Sequence, residues 1–195
     1  MTLAILICTL PERFEKLKRL KNILEPQVER FKDQVFIQCN DAGRQIPTGT
    51  KRNWLIEQTQ SDYFCFVDDD DLVSSFYVSE IVKAMSQGPD VITFCGYMTT
   101  DGLHRRDFTI RLGSKYEEKN GHYYRWCNHL CIFKRELVSQ IKFPDVWVQE
   151  DYLWSKAIND RKILKSEIHL NQDLYVYDFR TNKPKYGNAK TNTVR

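Results

Sequence analysis

The stretch Phe64-Cys65-Phe66-Val67-Asp68-Asp69-Asp70-Asp71 constrains this chain more than any other. An apolar run ends abruptly in four consecutive carboxylates. Short apolar runs carrying aromatic residues read as buried strands. Four adjacent negative charges repel one another, so a fold that gathers them at a strand end needs a compensating cation. Carboxylate oxygens are the ligands that hard divalent ions such as Mg²⁺ and Mn²⁺ prefer. If the segment is extended, alternate side chains share a face: Asp68 and Asp70 point at one ion while Asp69 and Asp71 point elsewhere. The carboxyl ends of the strands are where open α/β sheets bind ligands. The competing reading is an acidic surface turn, against which the directly preceding apolar run argues.

The pattern on either side of this stretch alternates strand and helix. Leu3–Cys8 reads as a first strand, and Pro11 opens a helix where its missing N–H costs nothing. Phe14, Leu17, Leu20 and Leu24 give that helix an apolar stripe, with Arg13, Lys16, Lys18, Arg19 and Lys21 on a solvated face. A short strand over 34–38 ends in the turn signal Asn40-Asp41-Ala42-Gly43. A helix over 46–60 precedes the strand 63–67. Ser74 and Ser75 are good N-caps for a helix carrying Val78, Ile81, Val82 and Met85 at helical spacing. Gly88-Pro89 stops it, and a fourth strand covers 91–96. Residues 97–129 predict strands and a long loop on the acceptor side. A strand over 130–133, a short helix over 135–141, a helix opened by Gln149-Glu150-Asp151 and a late strand over 174–177 complete the order. This alternation predicts an α/β fold with a mostly parallel central sheet and helices on both faces.

Length and composition fit one globular domain over 1–179, followed by a basic tail over 180–195. The tail holds Arg180, Lys183, Lys185, Lys190 and Arg195 and no acid, so the net charge of +3 becomes −2 without it. A basic tail beside an acidic cluster suits an anionic partner such as a phosphate, and equally a solvated terminus. No run approaches a membrane span, and the apolar start lacks the basic residues of a signal peptide. Six cysteines lie mostly in apolar runs with no CxxC pair, which predicts free thiols and a cytoplasmic setting. Cys127, His129 and Cys131 alternate along an expected strand like half a zinc site, but no second pair completes it.

Three separated stretches together resemble small nucleotide-sugar-dependent glycosyltransferases of the GT-A fold, closest in pattern to family 2. The first is Ile7-Cys8-Thr9-Leu10-Pro11-Glu12-Arg13. The second is Gly49-Thr50-Lys51-Arg52-Asn53 with the acidic strand end that follows it. The third is Phe143-Pro144 with Glu150-Asp151 at a helix start. They span residues 3 to about 177.

The resemblance implies roles. Thr9, with Pro11 and Arg13 after it, borders the donor nucleotide. Asp41 faces its base, a uracil or equivalent, and Arg52 sits by the base or the carboxylates. Asp68 and Asp70 form a DxD motif that holds Mn²⁺ or Mg²⁺, with Asp70 the more direct ligand and Asp69 close to the donor. Asp71 supports the motif, although Asp69-Asp70-Asp71 offers a second DxD frame. Asp151 is the catalytic base and Glu150 its acidic neighbour. Pro11-Glu12 stands where the family often carries an aromatic-Asn pair. The implied reaction moves a hexosyl or pentosyl group from a nucleotide-diphosphate sugar, a UDP-sugar first among them, to an acceptor hydroxyl with inversion.

The chemistry accounts for these residue types. Negative charge builds on the departing diphosphate, and a cation held by carboxylates offsets it. Arg52, or tail residues such as Lys183 and Lys185, can share that work. The acceptor hydroxyl needs a base within hydrogen-bond reach, and a helix N-terminus holds Asp151 as a carboxylate. A nucleotidyltransferase is the nearest rival, but it wants a glycine-rich basic loop after the first strand, and Thr9 to Arg13 contains no glycine. A sugar- or calcium-binding module without turnover is the other, and no glycine follows the acids as an EF-type loop requires. The sequence leaves the acceptor open among a lipid-linked glycan, a protein, a small molecule and a nucleic acid; the tail and His104-Arg105-Arg106 would suit a polyanion such as DNA with hydroxylated bases.

Overall fold

A computed structural model describes residues 1–181. The expected tail therefore lies, beyond Thr181, outside the described residues. The elements run β1 (Leu3–Cys8), a 3-10 turn (Pro11–Arg13), α1 (Phe14–Glu29), β2 (Val35–Asn40), α2 (Thr48–Gln58), β3 (Tyr63–Phe66), β4 (Leu72–Val73) and α3 (Tyr77–Met85). Then follow β5 (Val91–Thr100), β6 (Leu103–Ile110), β7 (Glu117–Lys119), β8 (His122–Arg125), β9 (Ile132–Lys134), α4 (Arg135–Val138), α5 (Glu150–Arg161) and β10 (Glu167–Phe179).

The sheet is ordered β2-β1-β3-β9-β5-β6-β8-β7, with β10 also paired to β5 and β4. β1 pairs in parallel with β2 and β3, and β5 with β10. β9 is wedged antiparallel between β3 and β5, so β3 and β5 themselves run the same way. The five strands β2, β1, β3, β5 and β10 thus share one direction, and their carboxyl ends open on one edge. Leu3 through Ile7 and Tyr63 through Val67 are buried throughout. A strand covered on both faces reads as an unbroken apolar run, as these two do. α1 packs with α3 and α2 with α5.

Two local expectations are corrected. Ser74 and Ser75 do not cap α3, which starts at Tyr77 after Phe76 without a side-chain cap bond. Gln27 of α1 caps it instead: its Oε1 accepts from the Val78 N–H at 3.1 Å, and its Nε2 donates to the Ser74 carbonyl at 2.9 Å. The segment holding Cys127, His129 and Cys131 is a turn rather than a strand, closed by Cys131 N–H donating to the Asn128 carbonyl at 2.9 Å. No strand alternation aims its three side chains at one point.

Candidate active site

The site lies along the carboxyl ends of β1, β2 and β3. The chain leaves β3 through Val67 and folds the four aspartates into a tight turn, Asp71 N–H donating to the Asp68 carbonyl at 3.1 Å. The segment is not extended, so the expected alternation of faces does not apply and each carboxylate finds its own partners.

Asp68 turns toward α2. Arg52 Nη2 donates to its Oδ1 at 3.0 Å, and His129 Nε2 lies 3.3 Å from its Oδ2. Burial works against the Asp68 charge, but the Arg52 guanidinium and His129 outweigh it and hold the carboxyl well below the usual carboxylate range. Asp69 turns toward β1 and α1. It accepts from Thr9 Oγ1 at 2.6 Å and pairs with Arg13 at 2.7 Å. Burial still prevails, pushing its carboxyl up to about 6. Asp70 pairs with the same Arg13 at 2.7 Å and with Lys16 at 3.6 Å. Asp71 points inward, accepting from Tyr175 Oη at 2.8 Å and from the Asp178 N–H at 3.0 Å. It therefore ties the turn to β10, and burial followed by the neighbouring Asp68 and Asp70 raises its pKa.

Arg52 is 4 % exposed and central. Its guanidinium sits 4.7 Å from the Phe66 ring and 5.7 Å from that of Phe143. Its Nε faces Glu150 Oε1 at 3.4 Å, an ion-pair contact, while Nη1 has no hydrogen-bond partner. Burial opposes its charge, yet Asp68 and Glu150 raise its pKa further. Glu150 in turn is raised by burial, with Arg52 opposing.

The loop before α5 is clamped from two sides. Asn53 of α2 donates to the Phe143 carbonyl at 2.9 Å and accepts from its N–H at 2.8 Å. A Cβ on Gly49 would come within 1.9 Å of the Pro144 carbonyl oxygen, so only glycine allows this approach. Trp154 of α5 stacks on Phe143 at 4.4 Å, and its indole N–H donates to the Ile141 carbonyl at 2.8 Å. Gln149 enters α5 in the left-handed region (φ +69°), a strained backbone of the kind found at functional sites. The helix thereby starts with Glu150 and Asp151, both favoured by its macrodipole. The Asp151 side chain is 43 % exposed, and its Oδ2 lies 3.7 Å from His129 Nδ1.

His129 therefore stands between the turn after β3 and the start of α5. It is buried, with Nε2 toward Asp68 and Nδ1 toward Asp151, and Nδ1 has no hydrogen-bond partner. Sequence reasoning noticed this histidine only as half of a zinc site. Its real neighbours are separated from it by 61 and 22 positions, a distance no local pattern spans.

The structure thus brings Thr9, Arg13, Arg52, Asp68, Asp69, Asp70, Asp71, Glu150 and Asp151 into one contact network. Pro11 and Asp41 stand exposed at its rim, just beyond β1 and β2. Among the described residues no cluster of three or more His, Cys, Asp or Glu side chains forms a metal site.

Set against known proteins, residues 20–146 match the model of "Glycosyl transferase family 2". The chain belongs to glycosyl transferase family 2. The family-2 match covers most of α1 through the clamped loop before α5. No curated protein matches the sequence. Among solved structures, TarS 1-349 of S. aureus in complex with UDP-GlcNAc superposes with a TM-score of 0.64 at 14 % identity, over 94 % of this chain and 60 % of that one. The S. aureus TarS 1-349 complex with UDP also gives 0.64, over 91 % and 60 %. TarS of S. aureus gives 0.62, over 91 % of this chain and 37 % of that one. This family-2 chain thus has the GT-A fold and spans 60 % or less of those chains' lengths. No helix among its described residues is long and apolar enough to cross a membrane.

Proposed function

We propose that the chain transfers a hexosyl or pentosyl group from a nucleoside-diphosphate sugar, a UDP-sugar, to an acceptor hydroxyl with inversion. The observation that carries the reading is that one buried imidazole, His129, lies between Asp68, 3.3 Å from its Nε2, and Asp151, 3.7 Å from its Nδ1. Carboxylates on two sides of that ring, one for the donor and one for the acceptor, suit a single displacement, in which attack and departure occur on opposite faces of the anomeric carbon. TarS, of the same fold, was crystallised with UDP-GlcNAc and with UDP, which supports a uridine donor.

In this reading Thr9, Pro11 and Asp41 border the base. Arg13 and Lys16 bring positive charge beside Asp69 and Asp70, and Arg52 offers the unpartnered Nη1. Asp68 and Asp70 are the residues that would hold Mn²⁺ or Mg²⁺. Both are hard oxygen donors in one short turn, and the Asp68 side chain is 31 % exposed, so the donor chemistry fits such an ion. When bound, the ion supplies charge stabilisation for the departing diphosphate. Asp151, exposed at a helix start, takes the proton of the incoming hydroxyl. The six free cysteines favour a reducing, cytoplasmic setting.

The test compares two variants. Asp70→Ala is expected to lose Mn²⁺-dependent donor binding, measured by calorimetry with UDP-sugars. Asp151→Asn is expected to keep donor binding and lose transfer by about 10²–10⁴-fold, the range of general-base catalysis. Equal loss of donor binding in both would remove the assigned division of labour.

A further inference from the structure

A groove of about 730 Å³ runs between the 112–116 loop, the Trp126–Cys127 segment, α5 and the 162–165 segment that follows it. Tyr152, which follows Asp151, forms one wall, and Trp126 and Cys127 lie just before His129. Tyr152 and Cys127 of its lining thus stand one and two positions along the chain from Asp151 and His129.

Its lining has two characters. Tyr116, Trp126 and Tyr152 form a cluster with ring centroids 5.3 to 5.8 Å apart. Tyr116 is 52 % exposed and Tyr152 40 %. Trp126 is half-buried between these segments, and the Arg125 guanidinium covers one face of Tyr116 at 4.0 Å. The ring surface left open is therefore that of Tyr152, the other face of Tyr116 and part of Trp126, an apolar patch of the kind that marks a binding site. Aromatic faces of this kind pack against apolar C–H surfaces, while the phenol and indole edges hydrogen-bond to hydroxyls. Sugar rings present both. Around the aromatics stand Lys115, Lys162 and Lys165, and among the described residues no acidic one lines the groove. None of the three lysines pairs with a described carboxylate.

We propose that this groove seats an anionic glycan as the acceptor: sugar rings stacked on Tyr116, Trp126 and Tyr152, and phosphate or carboxylate groups met by Lys115, Lys162 and Lys165. This rests on the transferase reading above and adds the acceptor's chemical class. Charge complementarity selects the occupant. A neutral glycan leaves three unpaired lysines facing it. The chain's own residues 182–195 carry Lys183, Lys185, Lys190 and Arg195 and no acid, so the lysines repel that segment. Duplex DNA is a weaker fit. Of the basic stretch expected to serve it, Arg105 is engaged by Asp107 and Asp173, and Arg106 by Glu118. Stacked base pairs also offer no free sugar face to three clustered rings.

The experiment uses the full chain and follows binding by tryptophan fluorescence and calorimetry. The probes are a phosphorylated oligomannoside before and after phosphatase treatment, an oligogalacturonate beside its methyl ester, and a short duplex DNA. UDP and UDP-sugar binding is measured on the same preparation, so a failed donor site is told apart from a failed acceptor groove. The expected result is that each charged glycan binds about tenfold or more tighter than its neutral match, the worth of one charge-assisted contact. Which of the two charged glycans prevails distinguishes phosphate from carboxylate. Lys115→Glu/Lys162→Glu is expected to abolish the preference for charge. Trp126→Ala is expected to weaken charged and neutral glycans alike. Equal binding of charged and neutral probes overturns the proposal, as does duplex DNA binding as tightly as the charged glycans. So does a preference that survives both the lysine reversal and Trp126→Ala.

Discussion

The Asp151 carboxylate lies 3.7 Å from Nδ1 of His129, too long for a hydrogen bond and close enough to feel its charge. The same ring meets Asp68 at 3.3 Å through Nε2. The ring is therefore within hydrogen-bond reach of Asp68 alone, and of Asp151 only through space. In the proposed mechanism His129 is a positioning residue for Asp151, acting through its charge and bulk rather than on the reacting atoms. His129→Ala is expected to lower kcat by about 10–100-fold, the usual cost of losing an orienting partner, with the dissociation constant for UDP nearly unchanged. Steady-state kinetics beside UDP calorimetry separates the two. A loss of UDP affinity matching the loss of kcat would show that His129 serves the donor instead.

Arg52 holds Asp68 and Glu150 while almost wholly buried. Arg52→Met leaves two buried carboxylates without their cation. The expected loss of stability is about 3–5 kcal/mol, as for other buried pairs broken from one side. Arg52→Met combined with Asp68→Asn is expected to recover part of it, because only Glu150 then remains without its cation. Urea unfolding of the two variants checks both statements.

Burial holds the Asp69 proton up to about pH 6 in the folded chain, against 3.8 ordinarily. Between those values the folded state keeps a proton that the unfolded state has released. The contribution of this group to stability therefore falls as pH rises from about 4 to about 6, and is level above that window. Asp69→Asn removes the titration. The unfolding free energy of the native chain minus that of Asp69→Asn is expected to drop by roughly 1–3 kcal/mol across the window. Unfolding curves at pH 4, 5, 6 and 7, about one unit apart, measure it, and a difference flat in pH would contradict it.

Gly49 meets the Pro144 carbonyl where no Cβ fits. Gly49→Ala is expected to force the loop before α5 outward, costing about 1–3 kcal/mol as overpacking does. Because that loop sets where Glu150 and Asp151 begin, turnover is expected to fall more than UDP affinity. Thermal unfolding and kinetics on one preparation read both.

The apolar runs of β1 and β3, the stripe of α1 and the acidic strand end were legible in the chain itself, because burial on a sheet or helix face imposes a period that sequence displays directly. The same local logic placed Asp151 at a helix start, whereas the tight approach of Gly49 to Pro144 shows only in the fold. It failed where a partner comes from far along the chain. Two serines with good capping chemistry were passed over for Gln27, delivered by another helix. Four aspartates expected to alternate were sorted by what surrounds each: Arg52 and His129, Thr9 and Arg13, Lys16, or Tyr175. His129 gained its neighbours only when β9 was laid beside β3. Sequence fixes which side chains are able to do chemistry. Only packing decides which of them meet, since the energy of a charge or a hydrogen bond depends on the few ångströms around it.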